Sequence, residues 1–189
     1  MAKMTRHFRS KNSKRNFRAT KGRRLQYLAM LRKAIRKWDD PVLSQICDTV
    51  EEQDEKKFLR TLRDTLLSTK TGVGLAAPQI GITKKAIAIR SDVKSEDIRI
   101  MINPEILEKQ GSVQFAEGCL SYPGITTTVD RAIEVKVSWR DENWKSCEET
   151  FKGLDAIVIQ HEVDHLFGVC VVGNTWRAQQ KEKLEIVTA

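Results

Sequence analysis

The chain has 189 residues, with 33 Lys and Arg against 25 Asp and Glu, a net charge of +8. Fourteen of the basic residues and none of the acidic ones fall in residues 1–38, so the rest, with 19 basic and 25 acidic side chains, is net −6: a basic arm precedes a mildly acidic body. The length suits one domain and no apolar run approaches the ~20 residues of a bilayer span. Four scattered cysteines (Cys47, Cys119, Cys147, Cys170) without a CxxC pair speak against a secreted disulfide framework.

Residues 1–24 carry almost no large apolar side chains beyond Phe8 and Phe17. Such a stretch cannot bury enough surface to offset its ordering entropy, which predicts a disordered arm. It has no apolar h-region, but an Arg-rich, acid-free start also fits an organelle transit peptide. Leu28, Leu31, Ile35 and Trp38 recur at helical spacing and predict an amphipathic helix over 25–38, ended by Asp39-Asp40-Pro41. A second helix is expected from about Thr49 to Ser68. Its first turns hold Glu51, Glu52, Asp54 and Glu55, and Phe58, Leu62 and Leu66 form its buried stripe. Thr71-Gly72-Val73-Gly74 breaks it.

Short strands are predicted at roughly 85–90, 98–102, 112–116, 125–129 and 132–138, the last with Ile133, Val135 and Val137 on one face. The apolar run Leu154–Phe167 reads as a helix buried on most sides and stopped by Gly168. A short amphipathic stretch at about Arg177–Ile186 closes the chain. Together these elements predict an α+β fold, with small antiparallel or mixed sheets around a buried helix, residues 39–189 forming the body and 1–38 an extension.

Inside the buried helix lies Gln160-His161-Glu162-Val163-Asp164-His165. His161 and His165 are one turn apart, so both imidazoles can reach one metal ion, and Glu162 can act on a metal-bound water. The ordinary alternative is a pair of histidines satisfied by local hydrogen bonds. Against it, Glu162 and Asp164 are charged residues in an apolar helix, and burying them costs several kcal/mol unless they are paired or metal-linked. A catalytic site also wants a third ligand and an open position. No histidine follows His165, but Cys119 in Glu117-Gly118-Cys119-Leu120-Ser121 can supply a thiolate. Gly72 to Gly81 (GVGLAAPQIG) brings paired glycines and the amide of Gln79; with no preceding strand and no GxGxxG or GKS/T, it is not a phosphate loop.

GVGLAAPQIG, EGCLS and QHEVDH, in that order, resemble the three signature motifs of peptide deformylases, and DPVL at 40–43 and MINPEI at 101–106 fit the same family. The likeness runs from about Asp39 to Phe167. It implies that Cys119, His161 and His165 hold the metal, typically Fe(II) and replaceable by Ni(II), Co(II) or Zn(II), and that Glu162 is the catalytic carboxylate. It further implies that Gln79 and the Leu120 N–H donate to the formyl oxygen and that Gly74 pairs with the bound peptide as in strand addition. Many relatives carry a long C-terminal helix, so this chain is expected to be short at that end and extended at the other.

The chemistry is consistent with those roles. Hydrolysis of a formyl amide needs a nucleophile, a proton carrier and oxyanion stabilisation, and a divalent metal lowers the pKa of bound water from 15.7 toward about 7. An apolar pocket for the methionine side chain is expected from Val73, Phe115, Leu154, Ile157 and Val158, with Glu117 beside it. The expected activity is removal of the formyl group from N-formylmethionyl nascent peptides in the cytoplasm, or in a mitochondrion or plastid if the arm targets the chain there. The alternatives are an HExxH zinc peptidase, which would not need Cys119, and a non-catalytic nucleic-acid- or ribosome-binding protein. The arm's charge density favours polyanions, hence a ribosome or RNA contact through residues 1–38.

Overall fold

The computed structural model describes residues 22, 23, 25–27, 29–31, 34–54, 57–175 and 177–179. Of the disordered arm expected over 1–24, residues 1–21 and 24 lie outside them and residues 22 and 23 are helical; most of the C-terminal stretch also lies outside them. Among the described residues the elements run α1 (Lys57–Ser68), β1 (Gly74–Ala76), β2 (Ala86–Ile89), β3 (Arg99–Gln110), β4 (Val113–Cys119), β5 (Tyr122–Arg131), β6 (Glu134–Arg140), β7 (Ser146–Lys152) and α2 (Leu154–Leu166), with 3-10 turns at Pro41–Ser44 and Ala77–Ile80. The strands form an antiparallel five-stranded sheet in the order β1-β2-β3-β6-β7 and a separate β4-β5 hairpin. The architecture is α+β.

The first three strands are covered on both faces, which is why β2 reads as an unbroken apolar run rather than an alternation. On one face Ala86, Ala88, Ile100 and Ile102 pack with Leu59, Leu62 and Leu66 of α1. On the other, Ile87, Ile89 and Met101 pack with Ala156, Ile159, Val163 and Leu166 of α2. The strand period of two therefore sorts one sequence into two cores. The far end of β3 leaves this sandwich through an irregularity at Asn103, a residue with φ +50°. The Asn103 amide accepts from Val50 N at 2.9 Å and donates to Val50 O at 2.8 Å.

Several expectations are corrected. The second helix is described from Lys57 and carries no acid in its first turn. Residues 49–54 instead form turns, because Glu51 N donates to Asp54 Oδ2 at 3.0 Å and Asp54 pairs with Lys84 at 2.9 Å; local side-chain acceptors compete with helix formation there. The N-terminal helix does not reach Trp38. Its last described bonds run from Ala34 N to Met30 O and Leu31 O, after which Arg36 N donates to Gln79 O at 2.8 Å and Trp38 N to Ser121 O at 3.1 Å. Ile133 does not join Val135 and Val137 on the inner face; it precedes β6 and is 46% exposed. Strands β1 and β7 were not expected, one being short and glycine-led and the other largely polar (SCEETFK).

The corner between β7 and α2 is made at Gly153 (φ +58°), and α2 ends against Gly168 (φ +70°), where a Cβ would run into the carbonyl of Ser44. No single described helix is long and apolar enough to cross a membrane. Leu62 is wholly buried between α1 and the sheet. Leu62→Ala should therefore cost about 2–5 kcal/mol of unfolding free energy, measured by urea denaturation; a loss below about 1 kcal/mol would mean the α1 core is not packed as described.

Candidate metal centre and active site

Two elements supply the polar residues of the site. In β4 the strand period puts Glu117 and Cys119 on the same side, facing in. In α2 the helical period puts His161 and His165 one turn apart, with ring centroids 5.1 Å apart, and Glu162 beside them. Arg131, the last residue of β5, joins the two. Its guanidinium donates to both Glu117 oxygens, at 2.6 and 3.0 Å, and to Asp164 Oδ2 at 2.7 Å. Glu117 Oε2 in turn accepts from His161 Nδ1 at 2.9 Å.

These contacts set the protonation states. Burial works to raise the Glu117 carboxyl, but the hydrogen bonds from His161 and Arg131 outweigh it and hold the pKa at about 2. Burial likewise works to lower His161, and the Glu117 bond outweighs it, lifting the imidazole to about 9. Nδ1 of His161 is thus committed to Glu117, and Nε2 becomes a donor atom for a metal only when the imidazolium gives up its proton. His165 is lowered to about 3 by burial and by the positive charges of His161 and Arg131, so its imidazole is neutral. Burial pushes the Glu162 carboxyl up to about 7.

Cys119 Sγ lies 3.3 Å from His165 Nε2. Among the described residues, one group of potential ligand atoms lies mutually within 4.8 Å: those of Cys119, His165 and Cys170. His161, one turn along α2, is outside that tight group. The surroundings fit a divalent metal on three counts. The donors are thiol sulfurs and a neutral imidazole, the set that borderline and soft metals take. Glu162 Oε2 is buried with no hydrogen-bond partner among the described residues. His165 Nδ1 is in the same condition, and buried polar atoms are otherwise almost always satisfied.

The 72–81 segment closes the site from the sheet side. Gln79 Oε1 accepts from Ala76 N at 2.8 Å, which fixes the amide so that Nε2 donates to Ser121 Oγ at 3.1 Å and Cys119 Sγ at 3.5 Å. Gly74 lies against Glu162, whose Oε1, Cδ and Cγ a Cβ at that position would strike. Above these groups opens a cavity of about 770 Å³. Val73, Gly74, Gln79, Phe115, Glu117, Cys119, Leu120, Leu154, Ile157, Val158, His161 and Glu162 all line it, and His165 does not.

Sequence reasoning missed five residues. Cys170 carried a signal, a cysteine two residues past the helix-stopping glycine. Arg131 is the partner of Asp164 on the QHEVDH helix and of Glu117 on β4. Ile35 and Lys37 line the cavity from a segment assigned to the arm, and Lys37 Nζ donates to Leu120 O at 2.7 Å. Tyr122 lines the cavity floor through the turn after Cys119, and nothing in its sequence context marks it.

The sequence model of the polypeptide deformylase family matches residues 32–181. The chain belongs to the peptide deformylase family. It is 40% identical over 152 residues to the peptide deformylase of Leptospira biflexa, covering 73% of this chain and 84% of that one. Among solved structures, the peptide deformylase of Synechococcus elongatus in complex with actinonin superposes with TM-score 0.67 at 38% identity, covering 72% of this chain and 76% of that chain. The Met-Ala-Ser-bound enzyme of Acinetobacter baumannii gives TM-score 0.65 at 34% identity, over 73% and 94%.

Glu117 generates an acid-side prediction. Its carboxyl sits at about 2 in the fold against ~4.3 for an ordinary glutamate. The stability it adds is complete above about pH 4.3 and is lost as the pH falls through the folded value. Thermal melts in EDTA should therefore show a smaller loss of midpoint between about pH 4.5 and 2.5 for Glu117→Gln than for the native chain. Parallel curves for the two proteins would contradict the network.

Proposed function

We infer that this chain hydrolyses the N-formyl group of N-formylmethionine at the start of newly made polypeptides, releasing formate. Family membership supports the activity. The observation that carries its placement here is the unpartnered, buried Glu162 carboxylate next to Cys119 and the paired helical histidines, at the floor of an apolar cavity. Cys119, His161 and His165 are read as the metal ligands, Fe(II) being the expected ion and Zn(II), Ni(II) or Co(II) substitutes. When bound, the metal supplies Lewis acidity and lowers the pKa of the attacking water.

The remaining work falls to the side chains. With its pKa raised to about 7, Glu162 is matched to taking a proton from the attacking water and passing it to the departing α-amine near neutral pH. Gln79 Nε2, whose partner oxygen is tied to Ala76 N, is held beside Cys119 and Ser121 and is read as the donor that turns to the formyl oxygen as negative charge develops. The Leu120 N–H is read as the second donor; the Lys37 ammonium, bonded to the Leu120 carbonyl, anchors the same residue through the following peptide unit. Arg131 and Glu117 act at one remove, by orienting His161.

The free edge of β1 supports the binding mode. β1 is the end strand of its sheet and pairs only with β2 there. Its outer edge at Gly74 faces the cavity, and an extended peptide can add to it by main-chain hydrogen bonds. Phe115, Ile157 and Val158 would then receive the methionine side chain, with Val73 and Leu154 at the margin. The Acinetobacter relative binds Met-Ala-Ser, the product that such a reaction would leave from a formylated tripeptide.

The basic residues 1–38 are read as a polyanion-seeking arm that brings the enzyme to ribosomal RNA in the cytoplasm. Because Ile35 and Lys37 line the cavity, deletion should stop before them. A variant lacking residues 1–21 is expected to pellet less with ribosomes than the full chain at low salt, the difference shrinking at high salt; equal pelleting at both salts would remove the arm from the function.

The activity is tested by formate release from formyl-Met-Ala-Ser, with the Fe(II) form kept anaerobic. Glu162→Ala should lower kcat by at least about 10²-fold, and Gln79→Leu by about 10²–10³-fold. Formate release by Glu162→Ala at the native rate would refute the assigned proton carrier. Cleavage of internal peptide bonds without formate release would instead favour the zinc peptidase reading.

A further inference from the structure

The cysteine that the reading above leaves without a task is Cys170. It is 6% exposed and packs with Tyr122 and Val172, and Cys119 adjoins this small cluster. Gly168 turns the chain at the end of α2, and the backbone returns beneath the helix through Gly168 N to His165 O and Val169 N to Asp164 O. That turn delivers Cys170 to the far side of Cys119 from the cavity. The two sulfurs and His165 Nε2 lie mutually within 4.8 Å. The other two cysteines, Cys47 and Cys147, are free and belong to other parts of the molecule.

We propose that Cys170 is the resolving thiol of Cys119: the pair is the site of a reversible disulfide that withdraws Cys119 from the metal. The accessibility of the two sulfurs differs in the sense that this chemistry needs. Cys119 lines the cavity and can be reached by a small oxidant such as a peroxide, whereas Cys170 is not part of the lining. A disulfide brings sulfurs to about 2.05 Å, so closure from within 4.8 Å requires side-chain rotation or small backbone shifts rather than unfolding.

The steps balance as follows. The Cys119 thiolate attacks one peroxide oxygen, the O–O bond breaks, and water leaves after taking a proton, giving a sulfenic acid. The Cys170 thiolate then attacks that sulfur; the S–S bond forms, the S–O bond breaks, and hydroxide leaves to become the second water. Two thiols lose two electrons and two protons, and one hydrogen peroxide becomes two waters. A dithiol reductant reverses the bond. Without a neighbouring thiol, a cysteine at this position would be open to further, irreversible oxidation to the sulfinic acid.

The inference about metal release rests on Cys119 being a metal ligand; the disulfide itself does not. The experiment uses the full chain loaded with Zn(II), which has no redox chemistry of its own, and treats it with hydrogen peroxide. Non-reducing peptide mapping should find a Cys119–Cys170 cross-link, two of the four thiols lost, and zinc released to a chromogenic chelator, all restored by dithiothreitol. In Cys170→Ser the same treatment should convert Cys119 to the sulfinic acid, and dithiothreitol should no longer restore zinc binding. Cys119 recovered in the native chain as a sulfinic acid, or as a free thiol beside a free Cys170, would overturn the proposal. A cross-link that forms while the zinc stays bound would instead overturn the ligand assignment and leave the disulfide standing.

Discussion

One buried guanidinium holds the site together. Arg131 closes β5 by pairing with Glu117 on β4 and with Asp164 on α2, and Glu117 passes the constraint to His161. The hairpin and the helix share no backbone ladder, so this ionic cluster, with the Gln160 amide bonded to both backbone groups of Ala132 just after β5, registers one against the other. Arg131, Glu117 and the His161 side chain are 8%, 4% and 11% exposed, a degree of burial at which removing one strands the others, while Asp164 is half-buried. The cluster is therefore better understood as fixing geometry than as adding net stability.

The catalytic groups sit where burial is most costly, and the fold manages that cost by division of labour. Glu117 is fully paired and held at about 2, while Glu162, beside Gly74 and with Oε2 unpaired among the described residues, is pushed to about 7. Two glutamates of the same core thus differ in role through their surroundings alone. Gly74 serves the same end: the absence of a Cβ leaves room for the Glu162 carboxyl.

Much of this was legible in the sequence because it rests on local period. The spacing of His161 and His165 needs only a helix, the inward pair Glu117 and Cys119 only a strand, and the cavity residues Ile157 and Val158 only an apolar helix face. Legibility failed where side chains or long-range contacts overrode period. Residues 49–54 look like an acidic helix start but spend their carboxylates on local turns and on Lys84. Residues 35–38 continue a helical pattern, but Arg36 and Trp38 give their N–H groups to Gln79 and Ser121, so a segment assigned to the arm becomes part of the cavity wall.

What the sequence determined by itself was the set of reactive groups and their family: three short motifs carry the thiol, the imidazoles, the carboxylate and the amide, since each motif is one short contiguous segment whose internal geometry is local. What only the tertiary structure decided was which groups meet. Arg131, Lys37 and Cys170 reach the site across 14, 83 and 51 positions of chain from Glu117, Leu120 and Cys119 respectively. No spacing rule spans such distances, because they are set by how two cores, one hairpin and the turn at Gly168 close on each other.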